Sequence, residues 1–214
     1  TKMFIYDSDR YVKEYTLTVG FDVSTASFLD KIILTEQTFP YGLVFNDDGT
    51  KIYITGRVSD AVHEYNLGSA YDVGSLTLVT SFSMSSETDI TEGMSFNDDG
   101  TKLFMNDLQF DKVFQYSLST AYSVATASLE GSFSIAAQES HSQYVAFNND
   151  GTKMFVVGDT GNDINSYTLS TGFDLTTATF NDINGDGTGF DISGQETTPQ
   201  YIKFNNDGTK MFVS

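Results

Sequence analysis

Phe45-Asn46-Asp47-Asp48-Gly49-Thr50-Lys51 runs straight into the apolar triplet Ile52-Tyr53-Ile54, and both segments recur along the chain. The heptad returns as Phe96–Lys102, as Phe147–Lys153 with Asn149 at the position of Asp47, and as Phe204–Lys210 with Asn206 there. The triplets that follow are Leu103-Phe104-Met105, Met154-Phe155-Val156 and Met211-Phe212-Val213. The chain also opens inside a copy, at Lys2-Met3-Phe4-Ile5, which predicts that its natural amino terminus lies upstream. The lysines at 2, 51, 102, 153 and 210 give spacings of 49, 51, 51 and 57 residues. A period of this size marks one supersecondary unit stacked on its copies.

Each unit reads as four short strands. In the second copy, 41–45 is a first strand, and Asn46–Gly49 is a hairpin turn with glycine in the left-handed position. Residues 51–55 form a second strand, 57–60 a polar loop and 62–67 a third strand. Gly68–Ser75 is a turn-rich connection, 76–84 a fourth strand, and 85–91 a linker. The third-strand tyrosine recurs as Tyr15, Tyr65, Tyr116 and Tyr167. Pro40 and Pro199 fall in one column, ahead of the first strand, where a missing N–H is tolerated.

The second-strand triplets do not alternate with polar residues, so that strand is covered on both sides. An antiparallel four-stranded unit of this length, covered by its own copies, is a propeller blade. A parallel solenoid would need coils of ~20–30 residues. The expected fold is therefore all-β, a β-propeller of four-stranded antiparallel blades filling residues 1–214. The Phe45, Phe96, Phe147 and Phe204 column is expected in the core. Residues 1–35 supply strands two to four of one blade, residues 199–206 a first strand able to complete it, and residues 209–214 a surplus second strand. About four blades are thus present, and the surplus predicts that they belong to a larger ring.

The composition narrows the partners. Apolar residues make up 39% of the chain, too many for a disordered protein. The net charge is −18, which repels phosphate backbones and anionic lipid and attracts cations. No nucleic-acid partner is expected. No stretch is long and apolar enough for membrane insertion. Cysteine is absent, so thiolate metal sites are excluded.

The Phe-Asn-x-Asp-Gly-Thr-Lys-Met-Phe-Val pattern followed by Tyr-Thr-Leu-Ser-Thr resembles the Asp-Gly-Thr-Lys repeats of YVTN and WD40-like propellers. Repeats of this style occur in secreted bacterial and marine phage proteins. The resemblance covers essentially the whole chain and implies the fold. It implies little about function, because propellers host enzymes, adhesins and scaffolds alike. The Gly-His and Trp-Asp signatures of WD40 repeats and the His/Arg/Glu set of propeller lactonases are absent.

Three sets of side chains are candidates for chemistry. In the insertion responsible for the 57-residue spacing, Asp182, Asn184 and Asp186 precede Gly187, as oxygen ligands do in a calcium loop. The twelfth-position Glu is missing, and Asp191 is the candidate substitute. The alignment puts this loop just before a fourth strand; the alternative is a polar surface loop. Second, the turn aspartates (Asp48, Asp99, Asp150 and Asp207, with Asp47 and Asp98 beside them) read as hairpin chemistry, their charge offset by the adjacent lysines. Third, each linker carries one glutamate: Glu36, Glu87, Glu139 and Glu196. The second-to-third-strand loops on the same face carry Asp9, Asp60, Asp111 and Asp163. That face is the expected ligand-binding face, for cations or sugar hydroxyls; linker capping is the alternative. His63 and His141 stand in unrelated columns.

Catalysis needs unlike residues gathered at one point, and these repeats differ mainly by neutral exchanges. The expected function is a non-enzymatic scaffold or binding disc, located extracellularly, on a cell surface or on a virion. Its partners would be a protein or glycan at one disc face and neighbouring blades of the same or another chain, with calcium as the implied ion. The alternative is a propeller hydrolase of a sugar or lactone whose active residues lie outside this segment.

Overall fold

The computed structural model describes residues 2–7, 9–36, 40–56, 59–87 and 91–214. Strands β1 (Lys2–Tyr6), β2 (Tyr11–Leu17) and β3 (Ala26–Ile33) form a three-stranded antiparallel first blade. The second blade is β4 (Pro40–Phe45), β5 (Lys51–Gly56), β6 (Ala61–Leu67) and β7 (Leu76–Ser83), hydrogen-bonded in chain order. The third repeats it with β8 (Thr91–Phe96), β9 (Lys102–Asp107), β10 (Lys112–Leu118) and β11 (Ala127–Ser134). The fourth uses β12 (Ser142–Phe147), β13 (Lys153–Gly158), β14 (Asp163–Leu169) and β15 (Ala178–Phe180), and β16 (Phe190–Asp191) rejoins β14. A hairpin of β17 (Ile202–Phe204) and β18 (Met211–Val213) ends the chain. The sheets are all antiparallel and arranged as propeller blades, as the repeat predicts.

The Asn-Asp-Asp-Gly turn folds as its residues dictate. Gly49, Gly100, Gly151 and Gly208 have φ between 68° and 70°. Asp48 Oδ1 accepts the Thr50 N–H at 2.9 Å, and Asn46 Oδ1 accepts that of Lys51 at 2.9 Å. Glycine serves a second purpose here. A Cβ on Gly49 would lie 2.2 Å from the Tyr71 ring, and one on Gly100 would lie 2.3 Å from Tyr122. Those aromatics belong to the connection between third and fourth strands and are themselves left-handed, with φ of 58° and 57°. The Tyr71 N–H donates to the Gly49 carbonyl at 2.8 Å, which ties the connection to the turn.

The core sits in the second strands. Ile52, Tyr53, Ile54, Leu103, Phe104 and Met105 are fully buried, each stabilising by about 1.5–3 kcal/mol for a side chain of this size. The first-strand phenylalanines are a correction: Phe45, Phe96, Phe147 and Phe204 are only half-buried. They end the innermost strands, so one side of each ring packs on the preceding blade and the other is left open. The packing repeats at every seam: Phe4–Phe45 at 4.5 Å, Tyr53–Phe96 at 4.6 Å, Phe104–Phe147 at 4.3 Å and Phe155–Phe204 at 4.7 Å between ring centroids.

A polar clamp, unread in the sequence, reinforces the first three seams. Lys51 pairs with the buried Glu64 at 2.5 Å and donates to the Tyr122 carbonyl of the next blade at 3.0 Å. Glu64 Oε2 accepts the Val124 N–H of that blade at 3.0 Å. Lys2 pairs with Glu14, whose Oε2 accepts the Val73 N–H at 3.2 Å. In the third blade Gln115 replaces the glutamate and accepts the Leu175 N–H at 3.0 Å, while Lys102 donates to the Phe173 carbonyl at 3.0 Å. The motif lysine therefore also ties its blade to the next, besides offsetting the charge of its own turn.

The end of the chain also departs from expectation. Strand β17 pairs with β18 and does not complete the first blade, whose order stays β1-β2-β3. The hairpin instead packs between two blades. Tyr201 packs, tilted, on Tyr144 of the fourth blade at 4.3 Å, and Phe212 stacks on Phe21 of the first at 6.2 Å. The second contact matches Phe4–Tyr71 at 6.4 Å and Phe104–Phe173 at 6.1 Å.

Candidate functional site

The innermost strands end at the Asn-Asp-Asp-Gly hairpins, and on that face they surround a cavity of about 710 Å³. Its walls include Phe45, Phe96, Phe147 and Phe204 with the connection aromatics Tyr122 and Phe173. Tyr144 and Phe155 line it more deeply. Beyond it the axis is filled by tyrosines. Tyr144 is buried against Tyr201, and the Tyr6 hydroxyl donates to the Tyr41 carbonyl. Burial pushes the Tyr6 phenol well above its ordinary range, with Tyr201 and Glu92 adding to the effect.

The rim includes the second residue of each Asn-Asx-Asp-Gly turn: Asp47, Asp98, Asn149 and Asn206. These differ from their neighbours in what their side chains do. Asp48, Asp150 and Asp207 each bind the threonine two residues on, which lowers their carboxyl pKa. Asp98 is raised, first by burial and then by the charges of Asp47 and Asp99, with Lys203 acting against them. Asn149 Nδ2 donates to the Asn206 carbonyl at 3.1 Å. Sequence reasoning absorbed this column into turn chemistry. The signal lay in the exchange of Asp for Asn at the second turn position while the third stays Asp in every copy.

The glutamates and aspartates of the expected ligand face lie where linkers and second-to-third-strand loops meet. There His141 Nδ1 contacts Asp159 at 2.6 Å. Their carboxylates are largely occupied locally. Glu36 accepts from Thr35 Oγ1 at 2.6 Å and Tyr65 OH at 2.9 Å, and Glu87 from Ser86 Oγ at 2.6 Å. Glu139 is fully buried over Gly158; it accepts the His141 N–H at 2.7 Å, and its Oε2 has no partner. Glu196 caps Thr197 and Thr198. Asp60 and Asp111 hold left-handed loop positions with φ of 46° and 51°, but Asn162 takes the equivalent place in the fourth blade. Asp163 opens β14 instead, buried, accepting from Asn165 at 2.7 Å and from the Gly189 N–H at 2.8 Å.

The inserted loop interrupts the fourth strand, between β15 and β16, rather than preceding it. Asp182 accepts the N–H groups of Gly185 at 2.6 Å, Asp186 at 3.1 Å and Gly187 at 3.1 Å. Asp186 accepts from Thr188, Asp191 from the Ser193 N–H, and Asn184 Nδ2 donates to the Gly189 carbonyl. Gly185 and Gly187 are left-handed, with φ of 76° and 82°. His63 lies buried between the Ser81 and Ser59 hydroxyls, and desolvation holds its pKa below the usual value with Glu36 acting against it.

No family model matches the chain, and no curated protein matches it by sequence. Solved structures do. A candidate 6-phosphogluconolactonase from Bacteroides fragilis superposes with TM-score 0.57 at 16% identity, over 86% of this chain and 50% of that one. Another from Bacteroides uniformis gives 0.57 at 12% identity, over 98% and 62%. A mitotic checkpoint complex chain gives 0.58 at 9% identity, over 100% and 57%. The chain thus spans between half and two thirds of the length of these structures. At such identities the likeness shows the propeller fold alone, which these proteins put to unrelated uses.

Proposed function

We propose that the protein is a non-enzymatic propeller, displayed outside the cell or on a virion, that works as a binding disc with its seat in the hairpin-face cavity. The observation that carries this reading is the cavity itself, walled by aromatic rings and rimmed by Asp and Asn residues of the hairpins. Pockets of 300–1,000 Å³ with apolar walls and a few placed polar groups suit small ligands and side chains. The repeat resemblance to secreted and phage propellers supports the location. The glutamate face is the second candidate seat, and calcium at Asp182, Asn184, Asp186 and Asp191 remains a proposal with its own test.

Hydrolase activity is the competing reading, favoured by the candidate lactonases among the structural neighbours. A phosphorylated lactone is an anion, and the carboxylates of Asp47 and Asp98 disfavour it in this cavity. Incubating the intact chain with gluconolactone and its 6-phosphate, alongside glycan and peptide binding screens, separates the readings. Binding abolished by Phe96→Ala, without turnover, supports the disc. Lactone turnover above background overturns it.

A further inference from the structure

We infer that the hairpin-face cavity takes an organic cation, an ammonium or guanidinium head on an aliphatic stem; this rests on the cavity being the ligand seat. Four carboxylates line it, Asp47, Asp98, Asp150 and Asp207, against two lysines, Lys153 and Lys203, and of the four Asp150 and Asp207 are held by the Thr152 and Thr209 hydroxyls. Asp47 and Asp98 are exposed carboxylates on adjacent blades, whereas the same column holds amides in Asn149 and Asn206. The turns do not require those two charges. Thr50 and Thr101 bind Asp48 and Asp99 instead, and the amide copies form the same turn with the same left-handed glycine. Two like charges held near one another at a cavity mouth are a cost that a cation between them relieves.

The walls agree with that chemistry. The Phe96 and Tyr122 rings lie 5.4 Å apart beside Asp98, and Phe45 lines the same side below Asp47. Aromatic faces next to carboxylates attract a cationic head by its charge and hold its stem by contact. A bare divalent ion would need six or more converging oxygens, which rings do not supply. A neutral sugar would use the rings and leave the charge unrelieved. Lys153 of the fourth blade and Lys203 of the terminal hairpin are the opposing charges and orient the cationic head towards Asp47 and Asp98.

The test is calorimetric titration of the intact chain at low salt with four probes: a Lys-Arg-Lys peptide with blocked ends, spermidine, cellotriose and calcium chloride. The variants are Asp47→Asn with Asp98→Asn, which installs side chains the chain already carries in that column, and Lys203→Met. A cationic probe should bind, weaken roughly tenfold in the double variant, tighten in Lys203→Met and weaken with added salt. Binding of the peptide alone identifies a basic polypeptide as the source, and comparable binding of spermidine identifies a free polyamine. Cation affinity unchanged in the double variant overturns the inference. Cellotriose binding alone overturns it too, while leaving the cavity as a seat. Calcium heat lost in the double variant, without cation binding, makes the rim a metal site instead. Silence from all four probes overturns both the seat and the cation.

Discussion

Adjacent aspartates in one turn are set to opposite tasks, and pH separates them. Asp99 is held below its ordinary pKa by the Thr101 hydroxyl and N–H, so its stabilisation is present above the unfolded value and lost as pH falls through the folded one. Asp98 is held above its ordinary value, so its ionised form opposes folding at neutral pH and is relieved as pH falls towards the unfolded value, about 3.9. Asp98→Asn should therefore raise the melting midpoint at pH 7, the gain vanishing near pH 4. Asp99→Asn should lower the midpoint at pH 7. Thermal melts across that range decide it; equal responses in the two variants would refute the assignment. Glycine offers a matched pair. Gly100→Ala meets both a φ of 68° and the Tyr122 ring, and should cost about 2–4 kcal/mol in denaturant titration. Gly185→Ala has a φ of 76° and open space, so only the backbone cost of about 1–2 kcal/mol remains.

At the level of elements, the clamp between blades can be tested against the chain's own variation. Glu64→Gln keeps the acceptor for the Val124 N–H and copies Gln115, so it should cost under about 1 kcal/mol. Lys51→Met leaves Glu64 buried without its cation and should cost more, about 1–3 kcal/mol, since the lysine is partly exposed. The reverse order would refute the clamp. The blades themselves were legible in the sequence because period, turn residues and apolar triplets point the same way. The strand ends fell within a residue or two of prediction. What stayed hidden depends on neighbours in space. Lys51 reaches a carbonyl seventy-one residues on, and no local pattern announces that partner. Similarly, Phe45 looks like core by its company, yet its place at a strand end opens one side of the ring to the cavity. The Asp163 column slipped by one because the equivalent position, nine residues after the motif lysine as in Asp60 and Asp111, holds the uncharged Asn162, and the neighbouring Asp163 carries the charge.

On the scale of the whole molecule, a net charge of −18 sets the response to ions. Salt should raise the melting midpoint by screening self-repulsion. Calcium should add to that at matched ionic strength only if a site exists. A calcium gain lost on Asp182→Ala with Asp186→Ala places the site in the inserted loop; a gain kept by that variant points to the glutamate face, and no gain removes calcium from the account. The terminal hairpin, touching both the fourth and first blades, makes Phe212→Ala a probe of closure, expected to loosen the first blade's Phe21 connection as well as its own strand. The clamp has one further consequence. Each of the three seams between blades is latched by an amide of the following blade: Val73, Val124 and Leu175. In deuterated solvent these three protons act as clocks, one for each of those seams. Their order of exchange would show where the disc first comes apart and in which direction the breach travels.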